Sequence, residues 1–186
     1  MLHPAAIPLA DHHVPLPPLT LVFGGARSGK SAYAESLLAG VAEPVYLATA
    51  EARDGEMSER IRHHQARRGG SWATIEEPMD LIGALRTHAQ PGRAVLVDCL
   101  TLWLTNILLA EADVPAEMER LAQSLPALAA PVVFVSNEVG MGIVPDNALA
   151  RAFRDHAGRL NQLIAARCQR VVFVAAGLPL LLKDVR

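Results

Sequence analysis

The sequence predicts an α/β domain whose mostly parallel sheet carries helices on both faces. Two observations lead there. Short, predominantly apolar runs recur along the chain (Leu19 to Phe23, Val45 to Thr49, Ala94 to Val97, Pro131 to Val135, Arg170 to Ala175), and helical patterns separate them. Strands that are apolar throughout, rather than alternating, belong to parallel sheets buried on both sides. Then, directly after the first run, Gly24-Gly25-Ala26-Arg27-Ser28-Gly29-Lys30-Ser31 fits G-x-x-x-x-G-K-[ST] in the strand–loop–helix context that this motif requires.

That motif is the P-loop. Its glycines let the backbone turn tightly and offer N–H groups to phosphate oxygens, and the following helix points the positive end of its dipole at the same anion. Lys30 is placed to reach the β- and γ-phosphates, and the Ser31 hydroxyl to hold Mg²⁺.

The remaining elements follow in order. Residues 1–18 hold five of the chain's 13 prolines, a density that blocks helix and central strand, so an extended, flexible arm is expected. His3, His12 and His13 lie in it without the cysteines or acids that would complete a metal site. From residue 19 to 186 a single domain is expected. Its first helix spans about 30–38, with Gly40 as the stop. Residues 56–68 form a charged, mostly exposed helix, 72–75 a brief strand and 79–88 a further helix. Helices are predicted over 100–111, 116–128 and 147–167, with a loop over 137–146. Gly177 is taken to lead into a short tail.

Composition narrows the function. A chain of 186 residues that is 51% hydrophobic and 19% charged suits one ordered domain. A net charge of -2 and a pI near 6.4 offer no basic field for nucleic acid. Cys99 and Cys168 sit in apolar surroundings, as buried thiols of a reducing compartment do. There is no 18-residue apolar run and no convincing secretory signal, so a cytoplasmic protein without a membrane span is expected.

Ligands of parallel sheets bind beyond the carboxyl ends of the strands. The P-loop, Asp98 and Asn137-Glu138 all follow strand ends, so they converge although distant in sequence. Asp98 ends Val95-Leu96-Val97 in the manner of a Walker B acid, which holds Mg²⁺ beside the P-loop serine; its other reading is an N-cap for the helix near Leu100. Glu138 either serves the site or ties nearby backbone N–H groups. His63 and His64 lie among Arg60, Arg62, Arg67 and Arg68. Spacing alone makes this a solvated charged face and does not choose between the histidines. Arg151, Arg154 and Asp155 share a helix face that suits an anionic substrate, a neighbouring subunit or simple ion pairing. Trp72 and Trp103 are expected in the core.

GGARSGKS (24–31), YLATA (46–50), RIRHHQARR (60–68), WATIEEP (72–78), VDCLTLWLTN (97–106) and SNEVGMGIVPDNALARAFRDHAGRLNQ (136–162) together resemble one family: the bifunctional adenosylcobinamide kinase / adenosylcobinamide-phosphate guanylyltransferase of cobalamin biosynthesis. The resemblance implies a RecA-like P-loop core, a homotrimer and two reactions. A nucleoside triphosphate (ATP or GTP) phosphorylates adenosylcobinamide. GTP then donates GMP, through a histidine, to adenosylcobinamide phosphate. Carried over, the histidine is His64, with Lys30 as its catalytic companion. The implied nucleotide contacts are the P-loop residues Gly24, Gly25, Ala26, Arg27, Ser28, Gly29, Lys30 and Ser31; Ala48, Thr49 and Ala50; Gln65, Ala66, Arg67 and Arg68; Glu76; and Asp98. Ser31 and Asp98 are the implied Mg²⁺ ligands. The alternatives are a monofunctional P-loop kinase of a small metabolite, a non-catalytic nucleotide-binding regulator and, disfavoured by charge, a nucleic-acid-dependent ATPase.

Overall fold

The computed structural model describes residues 16–50 and 72–185. The predicted arm up to residue 15 and the predicted helix over 56–68 lie outside them, as do His63, His64, Gln65, Ala66, Arg67 and Arg68.

The described chain runs β1 (Leu19–Gly24), α1 (Lys30–Leu37), β2 (Glu43–Ala48), β3 (Ala73–Glu76), α2 (Leu81–His88), β4 (Arg93–Asp98), α3 (Leu100–Leu109), α4 (Val114–Ser124), a 3₁₀ turn (Leu125–Ala127), β5 (Val132–Asn137), α5 (Ala148–Arg167), β6 (Arg170–Ala175) and β7 (Leu178–Asp184). The strands form one sheet in the order β3-β2-β4-β5-β1-β6-β7, in which only β7 runs antiparallel. The expected α/β class and mostly parallel sheet are observed.

Side chains alternate across each strand, so each apolar run feeds two cores. Leu21, Val95, Val97 and Phe134 face a large core closed by α2, α3, α4 and α5, with Trp103, Leu104 and Leu121 buried in it. Val22, Leu96, Val133, Val135 and Val172 face the other side, where Tyr33, Ala34 and Leu38 from α1 and its end cover them. Trp103 is a core residue as expected, and Trp72 packs at the margin of the smaller core. Fully burying each large side chain contributes about 1.5–3 kcal/mol, so these clusters dominate the stabilising terms.

Helix starts are set by small polar caps. Asp80, Asp113 and Asn147 each accept a backbone N–H from the first turn of α2, α4 and α5. These caps move the predicted starts of α2 and α4 by two residues, to Leu81 and Val114.

The last segment corrects the prediction. Residues 178–184 are not a tail but the antiparallel edge strand β7. Ala176 and Gly177, with φ of 51° and 78°, form the two-residue turn between β6 and β7. Two consecutive positive φ values match the right-handed twist of a hairpin, and glycine adopts one of them without strain.

Candidate functional site

The sheet register brings the predicted residues to one edge. Gly24 pairs with Asn137 across β1 and β5. Ala48 pairs with both Glu76 of β3 and Asp98 of β4. Thr49 and Ala50 follow directly. The P-loop, the Ala48–Ala50 turn, Glu76 and Asp98 therefore share the carboxyl edge of the sheet, the place where parallel sheets take ligands.

The P-loop is held in shape before any ligand arrives. Gly29 (φ 93°) and Arg27 (φ 55°) take left-handed conformations, and Gly29 caps α1. The backbone N–H of Ser28 donates to Gly25 O at 3.3 Å, and Lys30 Nζ folds back to the same carbonyl at 3.1 Å. From the other side, the N–H of Gly177 in the β6–β7 turn donates to Ser28 O at 2.8 Å. Gly24 is packed so closely that an added Cβ would lie 2.2 Å from Val174 O. The missed hairpin is thus the buttress of the loop. Lys30 is buried, which strengthens its field on an anion. Ser28 Oγ is buried with no hydrogen-bond partner, a polar atom that a buried site does not leave unused without reason.

Asp98 is oriented by a residue that the sequence reading did not single out. The Tyr46 hydroxyl, from the adjacent strand, donates to Asp98 Oδ2 at 2.6 Å. Cys99, not Asp98, occupies the N-cap of α3 and makes no side-chain cap bond, so the capping reading of Asp98 is set aside. A serine hydroxyl and an aspartate carboxylate are the hard oxygen donors that Mg²⁺ takes, so Ser31 and Asp98 fit the ion by chemistry.

Behind this edge runs a buried polar network. Thr49 Oγ1 donates to Cys99 O at 2.7 Å and accepts from Cys99 N at 2.9 Å. Asn106 Nδ2 donates to Thr49 O and Pro78 O. Asn137 Nδ2 donates to Thr101 Oγ1 at 2.6 Å. Asn161 donates to Asn137 O and accepts from Ser136 Oγ. Strand ends β2, β4 and β5 are thereby fixed to α3 and α5. The signal for Asn106 was visible as an amide in the apolar helix LTLWLTNILL, where an unpartnered amide would be costly.

Burial, and next the charge of Asp98, push the Cys99 thiol up to about 11, and burial pushes Cys168 to about 12. Both cysteines are free and buried, as expected, and neither has thiolate character at neutral pH. Glu138 Oε1 accepts from the Gly140 N–H at 2.5 Å, which favours the backbone-tying reading for that oxygen. Arg151 donates to Pro145 O and Asp146 O and so anchors the 137–146 loop, while Arg154 pairs with its neighbour Asp155.

Comparisons with known proteins give these features a family. A family model described as cobinamide kinase / cobinamide phosphate guanyltransferase matches residues 20–182. The chain belongs to that family. A bifunctional adenosylcobalamin biosynthesis protein of Pseudomonas aeruginosa is 52% identical over 88% of this chain and 96% of its own. Its counterparts in Escherichia coli and Salmonella typhimurium are each 39% identical over 89% of this chain and 99% of theirs. Among solved structures, the RadB recombinase superposes with a TM-score of 0.51 at 20% identity over 85% of this chain and 75% of that one. The ATPase EscN of enteropathogenic E. coli superposes with a TM-score of 0.55 at 11% identity, over 87% of this chain and 43% of that one. At such identities the structural likeness concerns the fold, which is that of P-loop NTPases with a RecA-like core. The protein is an enzyme of a bifunctional transferase family, with a nucleotide-binding P-loop.

Proposed function

We propose that this protein phosphorylates the hydroxyl of adenosylcobinamide with a nucleoside triphosphate and then transfers GMP from GTP, through a guanylyl-histidine, to give adenosylcobinamide-GDP. The observation that carries this reading is the family match over residues 20–182 on a chain whose P-loop and Walker-type Asp98 lie at one sheet edge.

In the first reaction the acceptor hydroxyl oxygen attacks the γ-phosphorus. The bond to the β-bridging oxygen breaks, the nucleoside diphosphate leaves, and the hydroxyl proton is lost. The P-loop N–H groups and Lys30 stabilise the charge on the transferring group. Mg²⁺, held by Ser31 and Asp98, supplies further charge neutralisation when bound. In the second reaction an imidazole nitrogen of His64 attacks the α-phosphorus of GTP and pyrophosphate leaves. A phosphate oxygen of adenosylcobinamide phosphate then displaces the histidine from phosphorus. Ala48, Thr49, Ala50, Gln65, Ala66, Arg67, Arg68 and Glu76 complete the proposed nucleotide contacts. The protein works in the cytoplasm as a homotrimer, without nucleic acid as a partner.

GTP labelled on the α-phosphate tests the reading. His64→Ala loses the denaturation-stable label and keeps kinase activity, while His63→Ala keeps both. Label retained by the His64 variant overturns the assignment. Kinase activity with no adduct in the unaltered protein favours a monofunctional kinase, and no turnover with adenosylcobinamide favours a regulator. Mass by light scattering checks the trimer.

A further inference from the structure

The end of β2 holds Asp98 of the neighbouring strand in two ways. Thr49 holds the backbone: its N–H donates to Asp98 O at 3.1 Å, and its hydroxyl accepts from the next residue, Cys99, at 2.9 Å. Tyr46 holds the side chain, through the 2.6 Å bond from its hydroxyl to Oδ2. The register explains the reach. Ala48 stands beside Asp98 and Tyr46 beside Leu96, so Tyr46 and Asp98 share a face of the sheet and lie two residues apart along it. The length of a tyrosine side chain spans that diagonal.

Tyr46 is 5% exposed and packs in the smaller core with Ala48 and Leu96, its ring edge-on to Trp72 with centroids 6.4 Å apart. Phenylalanine would fill this apolar space without a polar atom to satisfy. The tyrosine hydroxyl is instead placed on a half-buried carboxylate at the edge of the sheet. Its length falls in the range of about 2.5–2.7 Å for an O–H donor on an ionised oxygen, the stronger kind of hydrogen bond. A carboxylate offers about four acceptor positions, so a bond on one oxygen fixes its plane without using up the group. Carboxylates that bind metals are commonly held in this way by an outer partner, and losing the partner costs about 10–100-fold in metal affinity or activity.

We propose that Tyr46 is a positioning residue for a divalent cation: its hydroxyl sets the plane of the Asp98 carboxylate, so that binding of the cation, and not of the bare nucleotide, depends on it. The proposal rests on the reading of Asp98 as a cation ligand given above.

Tyr46→Phe tests it, because the variant keeps the ring and its contact with Trp72 and loses only the hydroxyl. The probe is Mn²⁺ binding to the full chain with GDP, read from the EPR signal of free Mn²⁺. Tyr46→Phe is expected to raise the Mn²⁺ Kd about tenfold and to leave the GDP Kd in EDTA unchanged. Asp98→Asn is expected to weaken Mn²⁺ at least as much, and the double variant no further than Asp98→Asn alone, because the two residues act as one unit. An unaltered Mn²⁺ Kd in Tyr46→Phe, with a weakened one in Asp98→Asn, overturns the proposal and leaves the role of Asp98 intact. Unaltered Mn²⁺ binding in both variants overturns both. A GDP Kd in EDTA that rises as much as the Mn²⁺ Kd overturns the proposal too, since Tyr46 would then only support the local fold. So does a double variant weaker than Asp98→Asn, since Tyr46 would then act through another group.

Discussion

Two loops leave neighbouring strands at the same level of the sheet, and they are built in opposite ways. The P-loop follows Gly24 of β1, and the 137–146 loop follows its register partner in β5. The first is pinned from several sides, with Ser28 and Lys30 at 9% and 8% exposure. The second carries its apolar side chains outward, with Met141 at 80%, Ile143 at 97% and Val144 at 63% exposure. A loop that must hold phosphate gains from being rigid beforehand, because its N–H groups then need no reorganisation when charge develops. A loop that keeps isoleucine in water gains nothing for folding. Its apolar side chains stay exposed while Arg151 anchors the end of the loop that carries them.

Three substitutions break or sharpen that contrast. The largest effect is expected from Lys30→Met, which removes a preorganised charge and should lower both transfer rates by about 10²–10³. Its thermal midpoint should stay within a few degrees of the unaltered protein, and full activity would show that the loop does not act on the phosphates. Gly24→Ala comes next. The added Cβ meets the Val174 carbonyl, and the strained packing should destabilise by about 1–3 kcal/mol, read from urea midpoints. An unchanged midpoint would mean that the hairpin does not brace the loop. The smallest effect is expected from Ile143→Ser. An exposed substitution should shift stability by less than about 0.5 kcal/mol. Its KM for adenosylcobinamide should rise severalfold while GTP adduct formation is unaltered; destabilisation instead would show that the apolar loop is packed rather than exposed.

The same contrast explains what could be read from the residues. The P-loop is a contiguous eight-residue pattern with a mechanism attached, and the buried strands announce themselves by unbroken apolar runs, so both were legible. β7 was not. Its Leu178-Pro179-Leu180-Leu181-Leu182 run has neither helical nor alternating periodicity, and its short Ala176-Gly177 turn lacks the asparagine–glycine signature of a hairpin. The place of Asp98 at the carboxyl edge of the sheet was legible from its position at a strand end, but the alternative as a helix cap could be dismissed only once Cys99 was seen at the N-cap and Tyr46 on its carboxylate. Glu138 likewise needed the Gly140 contact to separate two readings that the sequence left open.

By itself, then, the sequence determined the α/β class, the phosphate-binding loop and the family, because each rests on short-range patterns: periodicity, a motif and stretches of matching residues. Only the tertiary structure decided which strand lies beside which. That choice brings Tyr46 to Asp98 and the β6–β7 turn to the P-loop. The physical reason is that parallel strands pair across long stretches of chain. The partner of each strand is set by the packing of whole helices on the sheet and leaves no mark on the local sequence.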